Sequence, residues 1–156
     1  MTLMRRLLSN GVEAVCLLLM AVLAIDLMLG VFSRYVLFST FTWYDEIARA
    51  CFVWMVFLGA AVGVKRGSHF GLHLLVDNLP AKARYFSSIL TYVIIIIFSL
   101  ILIVQGALFV DLGRYQQLPV MGISKAWVYA AIPVGGTLMV GYAVRLLWQR
   151  LWEPSP

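Results

Sequence analysis

Few side chains in this 156-residue sequence could do chemistry, and Asp26 is the most conspicuous of them. It lies inside an apolar stretch from Val12 to Ser33. A carboxylate near the middle of a membrane span costs about 2.5–3.5 kcal/mol on insertion scales, so it faces protein, water or a partner. Asp26, Gly30 and Ser33 fall on one helical face, and Val22 continues that face as apolar surface. The face suits proton or ion coupling. Packing of a protonated or hydrogen-bonded Asp26 against a neighbouring helix or a partner subunit is the preferred reading. Glu46 and Arg49 are three residues apart and can pair on one helix face, next to Trp43. Arg34 ends the preceding apolar stretch at the same membrane face, which predicts a small charge cluster. Such a cluster could hold an anionic substrate, but helix anchoring or protein binding is preferred. His69 and His73 have the spacing of two metal ligands, with Asp77 as the local addition. Zinc needs three or four ligands. Haem between helices usually draws histidines from two of them, and no other His exists. An interfacial polar role is preferred for both. Cys16 and Cys51 fall at opposite depths of two stretches, so they read as small packing residues rather than a disulfide.

The elements that must position these residues are membrane helices. The chain is 63% hydrophobic and only 12% charged, against about 45–50% and about 25% in soluble domains. Spanning a bilayer takes about 20 apolar residues per helix. Four transmembrane helices are predicted, at about 12–33, 45–64, 85–110 and 126–147. Their apolar runs are continuous rather than alternating, which argues against a β-barrel. The expected class is therefore an all-α integral membrane protein with a single membrane domain over residues 1–156. Between spans 2 and 3, residues 68–79 predict a short amphipathic helix along the membrane surface, stopped by Pro80. Aromatics crowd the first connection, from Tyr35 through Phe38, Phe41 and Trp43 to Tyr44, as suits a membrane–water interface.

The N-terminal segment, the second loop and the C-terminal tail share one side of a four-span protein. They hold eight of the twelve basic residues: Arg5, Arg6, Lys65, Arg66, Lys82, Arg84, Arg145 and Arg150. Both termini are therefore expected in the cytoplasm. The N-terminal stretch resembles a signal peptide, but no A-x-A-like site follows near Asp26, so it is expected to remain as the first span. The net charge of +5 reflects these basic ends. No Lys/Arg-rich run supports nucleic-acid binding.

Gly59 and Gly63 form a GxxxG match that permits close helix approach. Ala130, Thr137 and Gly141 give the fourth span a similar small stripe, and Pro133 is placed to kink it. Gly135-Gly136-Thr137 lacks the lysine and spacing of a nucleotide-binding loop. Neither a covalent haem motif nor a nucleophile elbow is present, and enzymatic activity has no visible basis.

From Arg34 to His69 the residues form a recognisable pattern: Arg34-Tyr35, Trp43-Tyr44-Asp45-Glu46-Ile47-Ala48-Arg49, Phe52-Val53-Trp54, Phe57-Leu58-Gly59-Ala60-Ala61, then His69. This resembles the small membrane subunit of tripartite ATP-independent periplasmic (TRAP) transporters, the DctQ-like family. Size, span number and order extend the resemblance over essentially the whole chain. Asp45 stands where the family often has a second Glu, which keeps the charge. The resemblance implies a bacterial or archaeal inner-membrane complex. In it a periplasmic solute-binding protein captures an organic anion, often a carboxylate. A large membrane subunit carries that anion with sodium ions. The small subunit supports the static part of the large one and can help dock the binding protein. No cofactor is expected in the small subunit itself. Residues expected at partner or assembly surfaces are Asp26, Arg34, Trp43, Glu46, Arg49, Trp54, Gly59, Gly63 and His69. Two other classes compete. One is a small four-span proton-coupled exporter using Glu13 or Asp26. The other is a haem-binding membrane anchor of a redox complex using His69 and His73.

Overall fold

The computed structural model describes residues 2–39, 42–67 and 81–152, with side chains described over 11–39, 42–67 and 86–152. The predicted surface helix at 68–79, with His69, His73 and Asp77, lies outside the described residues. The described chain forms α1 (Thr2–Tyr35), α2 (Trp43–Lys65), α3 (Ala81–Arg114), α4 (Ala126–Tyr129) and α5 (Ala131–Trp152). Four stretches are long and apolar enough to cross a membrane: Gly11–Tyr35, Trp43–Lys65, Phe86–Arg114 and Ala126–Trp152. The first three helices each begin before the predicted spans, α1 at Thr2 and α3 at Ala81 because helix continues through the charged residues Arg5, Arg6, Lys82 and Arg84 that bound the apolar runs, and α2 at Trp43. The apolar window blurs at the start of α2, because interfacial Trp43 and Tyr44 are amphipathic.

The fourth span is divided at Ala130, between α4 and α5. Pro133 explains the position. Its nitrogen has no proton to give the Tyr129 carbonyl, and its ring crowds that carbonyl one turn back. The helical hydrogen-bond ladder is therefore interrupted where α4 ends, while Ala130 itself keeps right-handed helical angles. At the end of α1 the chain turns through Phe38, which has φ 49°. The turn is closed by Ser33, whose hydroxyl donates to the Ser39 carbonyl at 2.6 Å while its own carbonyl accepts the Ser39 N–H at 3.2 Å.

The helices form an open row. α1 packs on α2, α2 on α5, and α5 on α3; among the described residues α1 meets no helix but α2. Spans cross in alternating directions, so α2 and α5, the second and fourth spans, run the same way. Lipid tails remove the hydrophobic drive between membrane helices, so close packing of small residues has to hold them. The α3–α5 seam shows this. A Cβ on Gly106 would lie 2.7 Å from Pro133 Cδ, and one on Gly136 would lie 3.0 Å from Ile103 Cγ1. Fully buried Ser99 completes the seam, its hydroxyl donating to the Ile95 carbonyl of its own helix. Between α2 and α5 the close approach is Gly135 on Phe57. Ala61, Val64, Ile95, Met139 and Ala143 make one core cluster across α2, α3 and α5.

The predicted stripe on the fourth span takes another direction. Thr137 and Gly141 are exposed, and nothing lies within 4 Å of a Cβ at Gly141. Gly59 and Gly63 likewise have nothing within 4 Å. Among the described residues, the glycines at which two segments come close are thus Gly106, Gly113, Gly135 and Gly136. Single-helix spacing does not distinguish these from the outward-facing ones.

Candidate functional site

The first turn of α2 carries Asp45 and Glu46, where negative charge favours the helix N-terminus. Adjacent helical residues point about 100° apart, so the two carboxylates serve different neighbours. Glu46 faces the connection between α3 and α4. That connection is a small hairpin: Gln117 bridges Ser124, Leu118 N–H donates to the Ile123 carbonyl at 2.8 Å, and Gly122 turns the chain with φ 65°. The Glu46 carboxylate accepts the Val120 N–H at 2.9 Å and the Met121 N–H at 3.0 Å. Two backbone donors on one carboxylate hold the hairpin tip against α2. Deeper along the same face, the Trp54 indole N–H donates to the Trp127 carbonyl at 3.1 Å, tying α2 to α4. Between these ties lies an apolar groove of about 510 Å³, walled by Cys51, Trp54, Leu118, Met121 and Trp127.

Asp45 faces the other way, into a cleft of about 260 Å³ between α1 and α2. Asp26, Gly30, Arg34, Tyr44 and Ala48 also line it. Asp26 is buried, and its Oδ2 has no hydrogen-bond partner. A Cβ added at Gly30 would meet the Tyr44 side chain in ordinary contact at 3.9 Å, so Tyr44 forms the wall opposite the glycine. Trp43 lies against Tyr44 with ring centroids 3.9 Å apart and ring planes tilted by 42°.

At the other end of the same two helices, Glu13 of α1 pairs with Lys65 at 3.1 Å and Arg66 at 2.7 Å, joining the beginning of the apolar stretch Gly11–Tyr35 to the end of α2. A groove of about 270 Å³ follows, lined by Glu13, Cys16, Met20, Met55 and Gly59. Cys16 and Cys51 are both free thiols. Among the described residues no group of three or more His, Cys, Asp and Glu could hold a metal.

The structure therefore separates the predicted charge cluster. Glu46 bonds to the hairpin, and among the described residues no ion pair joins it to Arg49, which is exposed. The expected pairing loses because two backbone N–H groups lie within reach of the carboxylate. Arg34 sits on the wall of the Asp26 cleft, across α2 from Glu46. Trp54, expected at a partner surface, makes an internal bond. Three features escape a reading by motif: the Glu13 bridge, the turn of Asp45 toward α1, and the hairpin at 117–124. The adjacency of Asp45 and Glu46 is the one signal that two faces of α2 are charged at this level.

Comparison with known proteins follows the same lines. Residues 25–152 match the family described as Tripartite ATP-independent periplasmic transporters, DctQ component. The chain is 33% identical over 138 residues to the sialic acid TRAP transporter small permease protein SiaQ of Vibrio cholerae, covering 88% of this chain and 79% of that protein. It is 37% identical over 100 residues to the C4-dicarboxylate TRAP transporter small permease protein DctQ of Rhodobacter capsulatus, covering 62% of this chain and 44% of that protein. It is also 28% identical over 110 residues to the sialic acid TRAP transporter permease protein SiaT of Haemophilus influenzae, covering 70% of this chain but 18% of that much longer protein.

Proposed function

The chain belongs to the DctQ component family of the tripartite ATP-independent periplasmic transporters, and from that membership we propose that it is the small scaffold subunit of a sodium-coupled importer of organic acids. It is a multi-pass membrane protein and not an enzyme. The observation that carries the scaffold reading is the open row. Only 6% of the most apolar stretch of α1 is buried within the chain, against 28% of the fourth span. Among the described residues such a row offers broad apolar faces and no enclosed pathway, as suits a protein that supports another. Similarity to part of the longer SiaT permease supports a large membrane subunit as the partner.

In this proposal the large subunit holds substrate and sodium, and this chain holds no cofactor. Carboxylates are the substrate class, by analogy with the sialic acid and C4-dicarboxylate relatives. Both termini lie in the cytoplasm of the inner-membrane complex, following the distribution of Lys and Arg. The Glu46 end then faces the periplasm, where the hairpin and Trp43 are placed to help dock the solute-binding protein.

Uptake of labelled organic acids by cells expressing the large subunit and binding protein, with and without this chain, tests the reading. Loss of uptake and of complex stability without the chain is expected. Full uptake and a normally stable complex in its absence overturn the proposal. A reporter fused at Pro156 should report cytoplasm.

A further inference from the structure

The cleft between α1 and α2 contains a carboxylate that the described chain leaves uncompensated. Asp26 is 5% exposed, its Oδ2 is buried without a hydrogen-bond partner, and it lines a cavity of about 260 Å³. Neighbouring groups do not supply what it lacks. The Ser33 hydroxyl donates its proton to the Ser39 carbonyl. Arg34, the one cation among the described residues of the cleft wall, is eight residues along the same helix, about 12 Å by helical rise, and makes no ion pair with Asp26. The other charged wall residue is Asp45, which adds negative charge. A metal ion is a poor match, since no group of three or more metal-ligating side chains forms among the described residues. Buried charges are otherwise paired or desolvated at a penalty. The cleft thus has the charge and shape for one cationic side chain on a flexible stem. Gly30 leaves room for the stem beside Tyr44.

Taking the scaffold reading as its basis, we infer that the Asp26 cleft receives a lysine or arginine side chain from the large membrane subunit. That cation pairs with Asp26 and locks α1, which among the described residues packs only on α2, into the complex. Asp45 adds attraction at the cleft wall, and Arg34 repels a second cation.

Dicyclohexylcarbodiimide, an apolar reagent that modifies carboxyls in apolar surroundings, tests the pairing. Modification of Asp26 is followed by mass spectrometry in the purified chain and in its complex with the large subunit. We expect labelling in the chain alone and about tenfold protection in the complex. Asp26→Asn, nearly isosteric but uncharged, should lower recovery of the large subunit by about tenfold, while Asp26→Glu keeps most of it. Equal labelling in chain and complex overturns the inference, as does wild-type recovery with Asp26→Asn. Protection that requires sodium but not the large subunit assigns the site to an ion and also overturns it. A wild-type chain that recovers no large subunit overturns the scaffold reading and this inference together, whereas an unprotected Asp26 in an intact complex overturns this inference alone.

Discussion

At the scale of single residues, Glu46 decides how the hairpin between α3 and α4 is held. Its two oxygens accept two successive backbone N–H groups, and hydrogen bonds to charged groups contribute about 1.5–3 kcal/mol. Glu46→Ala is therefore expected to speed amide exchange at Val120 and Met121 by about tenfold or more, with Glu46→Gln intermediate because it keeps one acceptor oxygen. Hydrogen exchange with mass spectrometry reads this directly. Unchanged exchange in the alanine variant would show that the hairpin stands without the carboxylate. Trp54→Phe removes the indole donor to the Trp127 carbonyl and keeps most of the ring. It should cost about 0.5–1.5 kcal/mol in unfolding of the chain in detergent. The importance of Glu46 was legible in the sequence from its place beside Trp43 and Asp45. Its partners were not, because Val120 lies 74 residues away and backbone N–H groups carry no sequence signature.

At the scale of elements, the row is set by where backbones come close. A Cβ on Gly106 would lie 2.9 Å from Pro133 N, and one on Gly135 would lie 2.7 Å from Phe57 Cβ. Neither neighbour is the free end of a flexible side chain. Gly106→Ala and Gly135→Ala are each expected to lower stability by about 1–3 kcal/mol through overpacking. Gly141→Ala, with open space around it, should be neutral or slightly stabilising through higher helix propensity. Thermal unfolding of the three purified variants in one detergent separates these outcomes. Pro133 interrupts the fourth span and its ring lies against Gly106, so the same residue shapes the helix and fills the gap between helices.

At the scale of the whole molecule, surfaces left unused inside the chain matter most. Gly59 and Gly63 face open space on α2, and Gly59 borders the groove beside Glu13 and Met20. In the scaffold reading this is where a helix of the large subunit can approach closely. Gly59→Leu or Gly63→Leu should then weaken co-purification with the large subunit and leave unfolding of the isolated chain unchanged. Full recovery of both variants would remove this surface from the interface. Gly106→Leu makes the contrasting control, since it should damage the isolated chain itself.

What the sequence determined by itself was the solvent of the fold and the family. Hydropathy is local: a window of about 20 residues decides whether a helix is at home in lipid. Four spans were therefore readable without knowing which helices touch, and the motif around Trp43–Arg49 pointed to the family that the comparisons bear out. Tertiary structure alone decided the order α1–α2–α5–α3, the separate partners of Asp45 and Glu46, and the Glu13 bridge. These depend on small residues and polar groups from distant segments meeting at close range. In a bilayer, apolar side chains gain little by choosing one neighbour over lipid, so the few glycines, carboxylates and tryptophans choose for them.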